Sequence, residues 1–593
     1  FFLTIEETMS KEFINDPKLC VDDSLGGLLK CNPTLAKIAS HPHCIVLSDV
    51  SGVPLISGGG SGHEPGHVGY VAPGMLSGAV CGGCFASPNV GEILATILCV
   101  TSEEKPSALL VVKNYTGDVL NFTLAAKKAN TQFGRDVRIV IVGDDCAVPL
   151  QKGITGRRGV AGTIFVHKCA GAVAAGGGSI DEVCEVAGMI SRRLLSLGVS
   201  LTGVTIPGNP SPPDLPSDQF SLGMGIHGEA GVSMESMCDS KGIVKKMCDL
   251  IVDYGYDAEE AGEMTKLKAG DEVCLMVNNL GGASTFELYV VANDVVAYFE
   301  AMGIKVAKCY VGSFMTSFNM RGISTSVLVL NGEKDKIMKL LDAPTASKAW
   351  QMAETLGGAE GRAEFSVDLE ALSSGPVCTW EEKAMPGFEA AAKKAIAGAC
   401  AAVLKAEADL TRWDQIVGDG DCGITQKRGA EKVMEVLGNG SLNAAKPAQM
   451  MNDLAEAVGK SMGGTSGVLF EIFFRKCAEE LKLCQSEGAN EVTEAALRSA
   501  FIAGVKEVET SGGAGVGSRT MNDALIPASQ ICADGGDMDS IVKAAVEAAD
   551  ATANMEAKAG RSNYLAFSTI QGTPDPGAKA VAFILQGIAD GLK

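Results

Sequence analysis

The chain has 593 residues, 46% of them hydrophobic and 20% charged, enough apolar material for several cores and an ordinary balance for a globular enzyme. Its 71 acidic residues outnumber the 50 basic ones for a net charge of −21, which argues against nucleic acid or an anionic membrane as a partner. No apolar run is long enough to span a bilayer, and the opening Phe1-Phe2-Leu3-Thr4-Ile5-Glu6-Glu7 is too short and too acidic for a secretory signal.

In chain order, the first half alternates short apolar runs with helical patterns. Ala108–Val112, Val137–Val142, Val273–Val277 and Ser326–Leu330 are bounded by Gly, Asn or Asp and predict buried strands of α/β layers. Two of them exit into polar loops, Lys113-Asn114-Tyr115-Thr116-Gly117-Asp118 and Gly143-Asp144-Asp145, where α/β proteins place ligands. The last 200 residues read differently. Helical stretches are predicted at Ala390–Leu410, Ala448–Val458, Val468–Leu483, Val492–Val508 and Ser540–Ala557, with strand-like runs nearly absent. Ser373-Ser374-Gly375-Pro376 and Met385-Pro386-Gly387 punctuate a weak stretch between the halves. The reading is therefore an α/β region over residues 10–342, a linker over 343–386 and an all-helical domain over 387–593.

The 19 cysteines are scattered singly and odd in number, which fits reduced thiols in the cytoplasm. Cys81-Gly82-Gly83-Cys84 is the only CxxC; with no second pair at zinc spacing, it reads as small residues in a tight turn. His63-Glu64-Pro65-Gly66-His67 fits the letters of a zinc-protease helix, but Pro65 and Gly66 make a helix there implausible. The alternative is a glycine-rich loop, Gly58-Gly59-Gly60-Ser61-Gly62, whose amides and Ser61 hydroxyl contact a small polar ligand while His63 projects into the site. Asp118 is either a helix N-cap for the residues from Asn121 onward or a general base, and Lys113 either neutralises a ligand or faces solvent. His227 stands in Gly223-Met224-Gly225-Ile226-His227-Gly228-Glu229-Ala230-Gly231, where no bulky neighbour shields its imidazole.

In the helical half, Val458-Gly459-Lys460-Ser461 ends like a P-loop, but Leu454 stands where the first glycine belongs and a helix precedes it, so a Walker site is rejected. Met462-Gly463-Gly464-Thr465-Ser466-Gly467 opens a helix expected near Val468 and offers an anion site. Asp414, Asp419 and Asp421 are the strongest metal signal, since carboxylates so closely spaced repel unless a hard cation such as magnesium gathers them. Gly512–Gly517 with Arg519-Thr520-Met521, and Thr573-Pro574-Asp575-Pro576-Gly577-Ala578, are further loops entering helices.

Together these motifs resemble the dihydroxyacetone kinase family in its single-chain, ATP-dependent form. The resemblance runs through GGGSGHEP (Gly58–Pro65), KNYTGD (Lys113–Asp118), RRGVAGT (Arg157–Thr163), GIHGEAG (Gly225–Gly231), NNLGG (Asn278–Gly282), GDGDCG (Gly418–Gly423), GGTSG (Gly463–Gly467), RTM (Arg519–Met521) and PDPGA (Pro574–Ala578). It implies two α/β subdomains followed by a helical-barrel nucleotide domain. It implies that His227 bonds the substrate carbonyl as a hemiaminal, that His63 assists proton movement, and that Asp118 is the base. Gly60, Ser61, Gly62, His63, Lys113 and Asp118 match substrate contacts. Asp414, Asp419 and Asp421 match ligands of magnesium ions bridging the ATP phosphates. Asp419, Gly420, Asp421, Cys422, Thr465, Ser466, Gly512, Thr520, Met521, Arg561, Asp575, Pro576 and Gly577 match nucleotide contacts. The implied partners are a triose and ATP, dihydroxyacetone and D-glyceraldehyde being the trioses, in a homodimer with domains exchanged between chains. Animal relatives also cleave FAD with manganese at the nucleotide site. Ser518 before Arg519, and Ala86 before Ser87-Pro88, depart from the family's usual acidic residue and threonine.

Overall fold

The computed structural model describes residues 12–149, 156–209, 215–257, 264–356, 366–367, 383–486 and 491–593; the N-terminal heptapeptide and the Ser373–Pro376 punctuation discussed above lie outside them. The chain forms two compact units that divide between Ser366 and Val367.

The first unit contains two six-stranded sheets. One is built from β1 (Leu35–Ile38), β2 (His41–Leu47), β3 (Leu55–Ser61), β4 (Gly78–Cys84), β5 (Ser107–Lys113) and β6 (Asp136–Val142), in the order β1-β2-β4-β3-β5-β6. β3 pairs parallel with both β4 and β5, and β5 with β6. The other is built from β7 (Leu194–Ser200), β8 (Gln219–Leu222), β9 (Ser233–Ser236), β10 (Glu272–Asn279), β11 (Lys305–Gly312) and β12 (Gly322–Val329), in the order β11-β10-β12-β7-β8-β9. The four runs read as strands fall on β5, β6, β10 and β12.

Residues in helices α1 (Cys20–Cys31), α2 (Val90–Val100), α3 (Thr116–Phe133), α4 (Thr163–Ala175), α5 (Ile180–Arg192), α6 (Ser240–Tyr254), α7 (Thr285–Ala301) and α8 (Lys334–Asp342) complete the layers. Alternation along β5 sends Leu110 and Val112 to a core shared with Ile93, Ile97 and Phe122 of α2 and α3. Leu109 and Val111 face the opposite core, where Ile164 and Phe165 of α4 meet Met276 and Leu328 of the second sheet. α4 is buried around nearly its whole first two turns, as a helix between two sheets must be. The far face of the second sheet packs on α6 and α7 through Val244, Met247, Val295 and Phe299. α2, α5 and α7 each begin on a reciprocal capping box: Asn89 with Glu92, Ser179 with Glu182, and Ser284 with Glu287.

Two features differ from the sequence reading. The Gly58–Ser61 ribbon is strand rather than loop. It lies between β4 and β5 with every residue buried, and a side chain on Gly58 would collide with the Val80 carbonyl. Low strand propensity is overridden there because the neighbouring strands leave room only for glycine. The start of the expected linker also belongs to the first unit. Ala346 N–H donates to Pro73 O, Leu356 N–H donates to Ala307 O, and Trp350 is buried against Phe165, Tyr310 and Phe314. An indole in that position buries enough apolar area to hold the segment down.

In the second unit, α9 (Phe388–Val417), α10 (Cys422–Gly438), α11 (Pro447–Ser461), α12 (Gly464–Ser486), α13 (Glu494–Gly512), α14 (Asn522–Ala533), α15 (Met538–Ala551), the single turn α16 (Phe567–Ile570) and α17 (Pro576–Leu592) account for the regular structure. Each long helix packs on the next, and α17 packs back on α9, closing an all-helical barrel. The barrel encloses a cavity of about 850 Å³ lined by apolar side chains such as Phe388, Leu454, Phe470 and Leu585. In a ring of antiparallel neighbours, alternate connections share one rim. The connections after α9, α11, α13 and α15 carry the aspartate turn, the Gly463-Gly464 turn, the Ala514–Met521 loop and the Arg561–Asp575 segment, so the topology collects these motifs on one rim. α15 ends at Ala551, followed by a 3₁₀ turn over Thr552–Asn554, short of the predicted Ala557. No described helix is long and apolar enough to cross a membrane.

Candidate active site

Three strands of the first sheet deliver the pocket at their carboxyl ends. β3 brings Gly59, Gly60 and Ser61, β5 brings Lys113, and β4 leads into Phe85. A side chain on Gly60 would meet the Phe85 backbone carbon at 2.5 Å, so this wall stands directly against the glycine ribbon. Phe85 itself has φ +55, and its ring stacks on His63 at 4.8 Å and meets His227 edge-on at 5.2 Å. Tyr115 covers another side of His227 at 4.7 Å. The Ser61 hydroxyl donates to Gly82 O at 2.7 Å, so its proton is committed to the wall and it can only accept from a ligand.

The two histidines meet. His63 Nε2 lies 3.1 Å from His227 Nε2, although 164 residues separate them. His63 Nδ1–H donates to Thr316 O at 2.8 Å. His227 Nδ1 faces the Glu229 carboxylate at 2.8 Å, and the His227 amide donates to the other carboxylate oxygen at 2.9 Å. A carboxylate only accepts, so His227 carries hydrogen on Nδ1 and presents Nε2 to the pocket. The 3.1 Å approach brings the two Nε2 atoms within reach of a single proton held between the rings. Burial, then the charges of Lys113 and His227, hold the His63 imidazole well below its usual range. Burial alone would raise Glu229, but hydrogen bonds and charge from His227 outweigh it and bring the carboxyl down to about 2.

Lys113 and Asp118 flank Gly59: a side chain there would lie 3.5 Å from Asp118 Oδ2 and 3.6 Å from Lys113 Nζ. Both are buried, and Lys113 Nζ and Asp118 Oδ1 have no hydrogen-bond partner among the described residues. Burial pushes the Lys113 ammonium down, against the opposing pull of Asp118 and Glu229. Buried ions without partners mark a place for a polar ligand. Asp118 is not a helix cap: α3 starts at Thr116 with Tyr115 at its N-cap, and Asp118 sits in the first turn. His67 leaves this site altogether. Its Nδ1 lies 2.9 Å from His167 Nε2 and 3.2 Å from Ser57 Oγ, so the His63–His67 pair shares no face for a metal. Cys81 and Cys84 do not pair either; Cys84 Sγ faces Cys20 Sγ at 3.5 Å, and every described cysteine is free.

On the barrel rim, ligand oxygens of Asp414, Asp419 and Asp421 lie within 4.8 Å of one another. Asp414 is buried near the end of α9 and accepts the amides of Asp421 and Cys422 at 2.8 and 2.9 Å, which ties the aspartate turn to the start of α10. Asp419 and Asp421 are exposed, and Arg561 Nη1 pairs with Asp419 at 2.8 Å. Burial, then Asp419 and Asp414, push the Asp421 carboxyl up, the mark of anions waiting for a cation. An oxygen-only set of this kind suits magnesium. Burial pushes Asp575 up to about 6, with Asp523 and Asp414 adding to the rise, so the Asp575-Pro576-Gly577 turn borders the same cluster. Burial likewise raises the Cys422 thiol. Gly577 abuts Met521, 3.5 Å from where its side chain would begin. The Thr520 loop is clamped from behind by Asp523, which accepts the amides of Gly517 and Thr520 at 2.5 and 2.8 Å.

Thr465 and Ser466 lie inside the first turn of α12, which starts at Gly464 rather than near Val468. The first amides of that turn have no partner within the helix. Gly512 ends α13 next to Leu469 of α12. Gly459 and Lys460 are interior to the last turn of α11, and Lys460 pairs with Glu456 at 2.6 Å, which agrees with rejecting a P-loop.

Comparison with known proteins identifies both units. A Dak1 domain matches residues 26–349 and a DAK2 domain matches residues 416–590. The triokinase/FMN cyclase of Homo sapiens is 38% identical over 98% of this chain and all of that protein. The chain belongs to the dihydroxyacetone kinase family. A dihydroxyacetone kinase of Pichia angusta is 34% identical over 98% of both chains. The dihydroxyacetone kinase of C. freundii in its native crystal form shares 32% identity and a TM-score of 0.63, covering 98% of this chain and all of that one. The same kinase solved with AMP-PNP and Mg²⁺ superposes at a TM-score of 0.62, with 31% identity and the same coverage.

Within this family fold, sequence reasoning missed the support around His227. Glu229 was printed in the same motif, and a histidine that must present one nitrogen needs an acceptor on the other. Phe85 and Tyr115 carried no such signal, since their rings reach His227 only through the tertiary fold.

Proposed function

We propose that this protein transfers the γ-phosphoryl group of ATP to dihydroxyacetone and D-glyceraldehyde, holding the triose as a hemiaminal on His227. The observation that carries the reading is the oriented imidazole of His227, which faces a second one beside two buried side chains, Lys113 and Asp118, whose Nζ and Oδ1 have no hydrogen-bond partner among the described residues. His227 Nε2 attacks the carbonyl carbon, and the proton shared with His63 passes to the carbonyl oxygen, leaving a C–N bond and a hydroxyl. A triose has too little surface for strong non-covalent binding, so this bond supplies affinity, and it excludes glycerol, which has no carbonyl. Asp118 then takes the proton of the terminal hydroxyl as that oxygen attacks phosphorus, and Lys113 offsets the charge of the incoming phosphate.

Asp414, Asp419 and Asp421 would hold magnesium, which when bound neutralises the ATP phosphates. Thr465, Ser466, Gly512, Thr520, Met521, Arg561 and the Asp575-Pro576-Gly577 turn line the nucleotide on the same rim, with Gly420 and Cys422 beside the metal. The AMP-PNP and Mg²⁺ complex of the C. freundii relative supports ATP and magnesium as the ligands. Triose and ATP bind different units, and we infer a homodimer in which the barrel of one chain serves the triose pocket of the other. Unpaired thiols support the cytoplasm as its compartment.

A second reading, FAD-AMP lyase activity with manganese at the nucleotide site, is supported by relatives named triokinase/FMN cyclase in Homo sapiens and Bos taurus. The test is ADP release with dihydroxyacetone, D-glyceraldehyde or glycerol, beside FAD cleavage in manganese. Turnover is expected with both trioses and not with glycerol. FAD cleavage without ADP release from either triose would replace the kinase reading with the lyase.

A further inference from the structure

The Arg157–Thr163 segment connects the end of the first sheet to α4 and is pinned from below. The buried Asp144 carboxylate accepts the amides of Val160 and Gly162 at 2.7 and 2.9 Å, and Asp144 and Asp145 both donate their amides to Arg158 O. Arg157 turns away, donating to Gly143 O at 2.5 Å and Leu194 O at 3.1 Å. Arg158 turns the other way. Its Nε donates to Asp145 Oδ2 at 2.7 Å and its Nη2 to Gly223 O at 2.9 Å.

Gly223, with φ +81, opens the segment that carries His227. The third arm of the guanidinium, Nη1, and the Glu229 carboxylate both border the notch left by Gly225, where any side chain would collide with both. The Gly225 amide closes the loop on Glu229 O at 2.9 Å. One planar cation thus joins the loop after β6 to the backbone of the histidine loop and sets its charge beside the carboxylate that orients the imidazole. Burial works against its charge, but Asp145, Tyr115 and Glu229 together raise its pKa above the usual arginine value. The Tyr115 hydroxyl lies in the same buried cluster with no partner of its own.

We propose that Arg158 is a positioning residue for triose capture, acting through Glu229 and Gly223 on His227. The proposal rests on the hemiaminal reading of His227. A hemiaminal forms only when Nε2 meets the carbonyl carbon along its line of attack, and a displacement of about 1 Å in such a site costs on the order of 10²-fold in rate. Lysine keeps the charge but presents one ammonium, not a fork, so it cannot bond Asp145 and Gly223 O together as the guanidinium does.

The test is ¹³C NMR of [2-¹³C]dihydroxyacetone bound to the full chain, with steady-state kinetics, in wild type and Arg158→Lys. Wild type is expected to show a tetrahedral hemiaminal carbon. Arg158→Lys is expected to bind the triose with that signal strongly reduced and with kcat/KM for the triose down about 10²-fold. KM for ATP and the circular-dichroism spectrum should be unchanged, which a general loss of structure would not leave so. If Arg158→Lys does not fold, Asp145→Asn carries the test, because it releases the guanidinium from its anchor; the same direction of change is expected. A full hemiaminal signal with wild-type kcat/KM in the folded variant overturns the role of Arg158 alone. Absence of the signal in wild type overturns the His227 reading and this proposal with it.

Discussion

In the triose pocket, His63, Lys113 and Asp118 are buried, and the imidazole of His227 is fixed by Glu229 before any ligand arrives. On the barrel rim, Asp419 and Asp421 are exposed, repel each other, and have Arg561 as a counter-ion on a side chain that is itself 71% exposed. On the proposed assignments, the first site is completed by the protein and the second by a cation and a nucleotide. The difference follows from the ligands. A neutral triose brings no charge to organise a site around, so the protein must supply the geometry. An ATP–metal complex brings its own charges, so an exposed acidic rim suffices, and an acidic chain of net charge −21 can bind an anion through metal.

The largest effect is expected where the rim loses its cation. Asp419→Ala should lower kcat on the order of 10³-fold or more in both ADP release and FAD cleavage, since neutralisation of the phosphates is the main catalytic contribution there. Triose capture by the first unit should persist. Retained ATP turnover would show that the rim does not depend on Asp419.

Gly60→Ala probes the opposite case, a site that cannot adjust. Its methyl group would press into the Phe85 backbone, 2.5 Å away, and shift the wall shared by His63 and His227. We expect kcat/KM for the triose to fall about 10²-fold and the first unit to lose about 1–3 kcal/mol by chemical denaturation. KM for ATP should stay within error. A harmless Gly60→Ala would mean the pocket adapts as the rim does.

Glu229→Gln sharpens the same point at lower cost. The carboxyl titrates at about 2 in the fold because hydrogen bonds and charge from His227 outweigh its burial. Its depressed value means the stabilisation is complete above the unfolded glutamate range near ~4.3 and is lost as pH falls from there toward about 2. The carboxylate is partly exposed, so the amount is about 1 kcal/mol. Acid unfolding of wild type, followed by circular dichroism, should show that component, and Glu229→Gln should lack it. The variant should also lose about 10-fold to 10²-fold in kcat/KM for the triose.

Thr465→Ala is expected to matter least. Its exposed hydroxyl adds one hydrogen bond to a helix start whose amides remain, so KM for ATP should rise only about 2-fold to 10-fold. A loss as large as that of Asp419→Ala would show that the rim is more preorganised than its exposure implies.

Most of the architecture was legible because its signals are local. The strands at Ala108–Val112 and Val273–Val277 carry their own apolar runs, and the barrel helices their own periodicity. His227, Asp414, Asp419 and Asp421 stood out because short polar groups sat among glycines. What escaped was set by tertiary packing. The Gly58–Ser61 strand is held by its pairing with β4, residue by residue. Trp350 gave no hint that it fills a pocket between Phe165 and Tyr310. Arg158 reaches Gly223 across 65 residues, a pairing no spacing rule could find.

The most direct test of the account is the turnover of dihydroxyacetone and glycerol by wild type and His227→Ala under the same magnesium and ATP, with FAD cleavage in manganese as the control for an intact rim. The account requires that His227→Ala lose most of its efficiency toward dihydroxyacetone while cleaving FAD as wild type does. If His227→Ala phosphorylates dihydroxyacetone as well as wild type and still rejects glycerol, the triose is not held by His227 and the account is wrong.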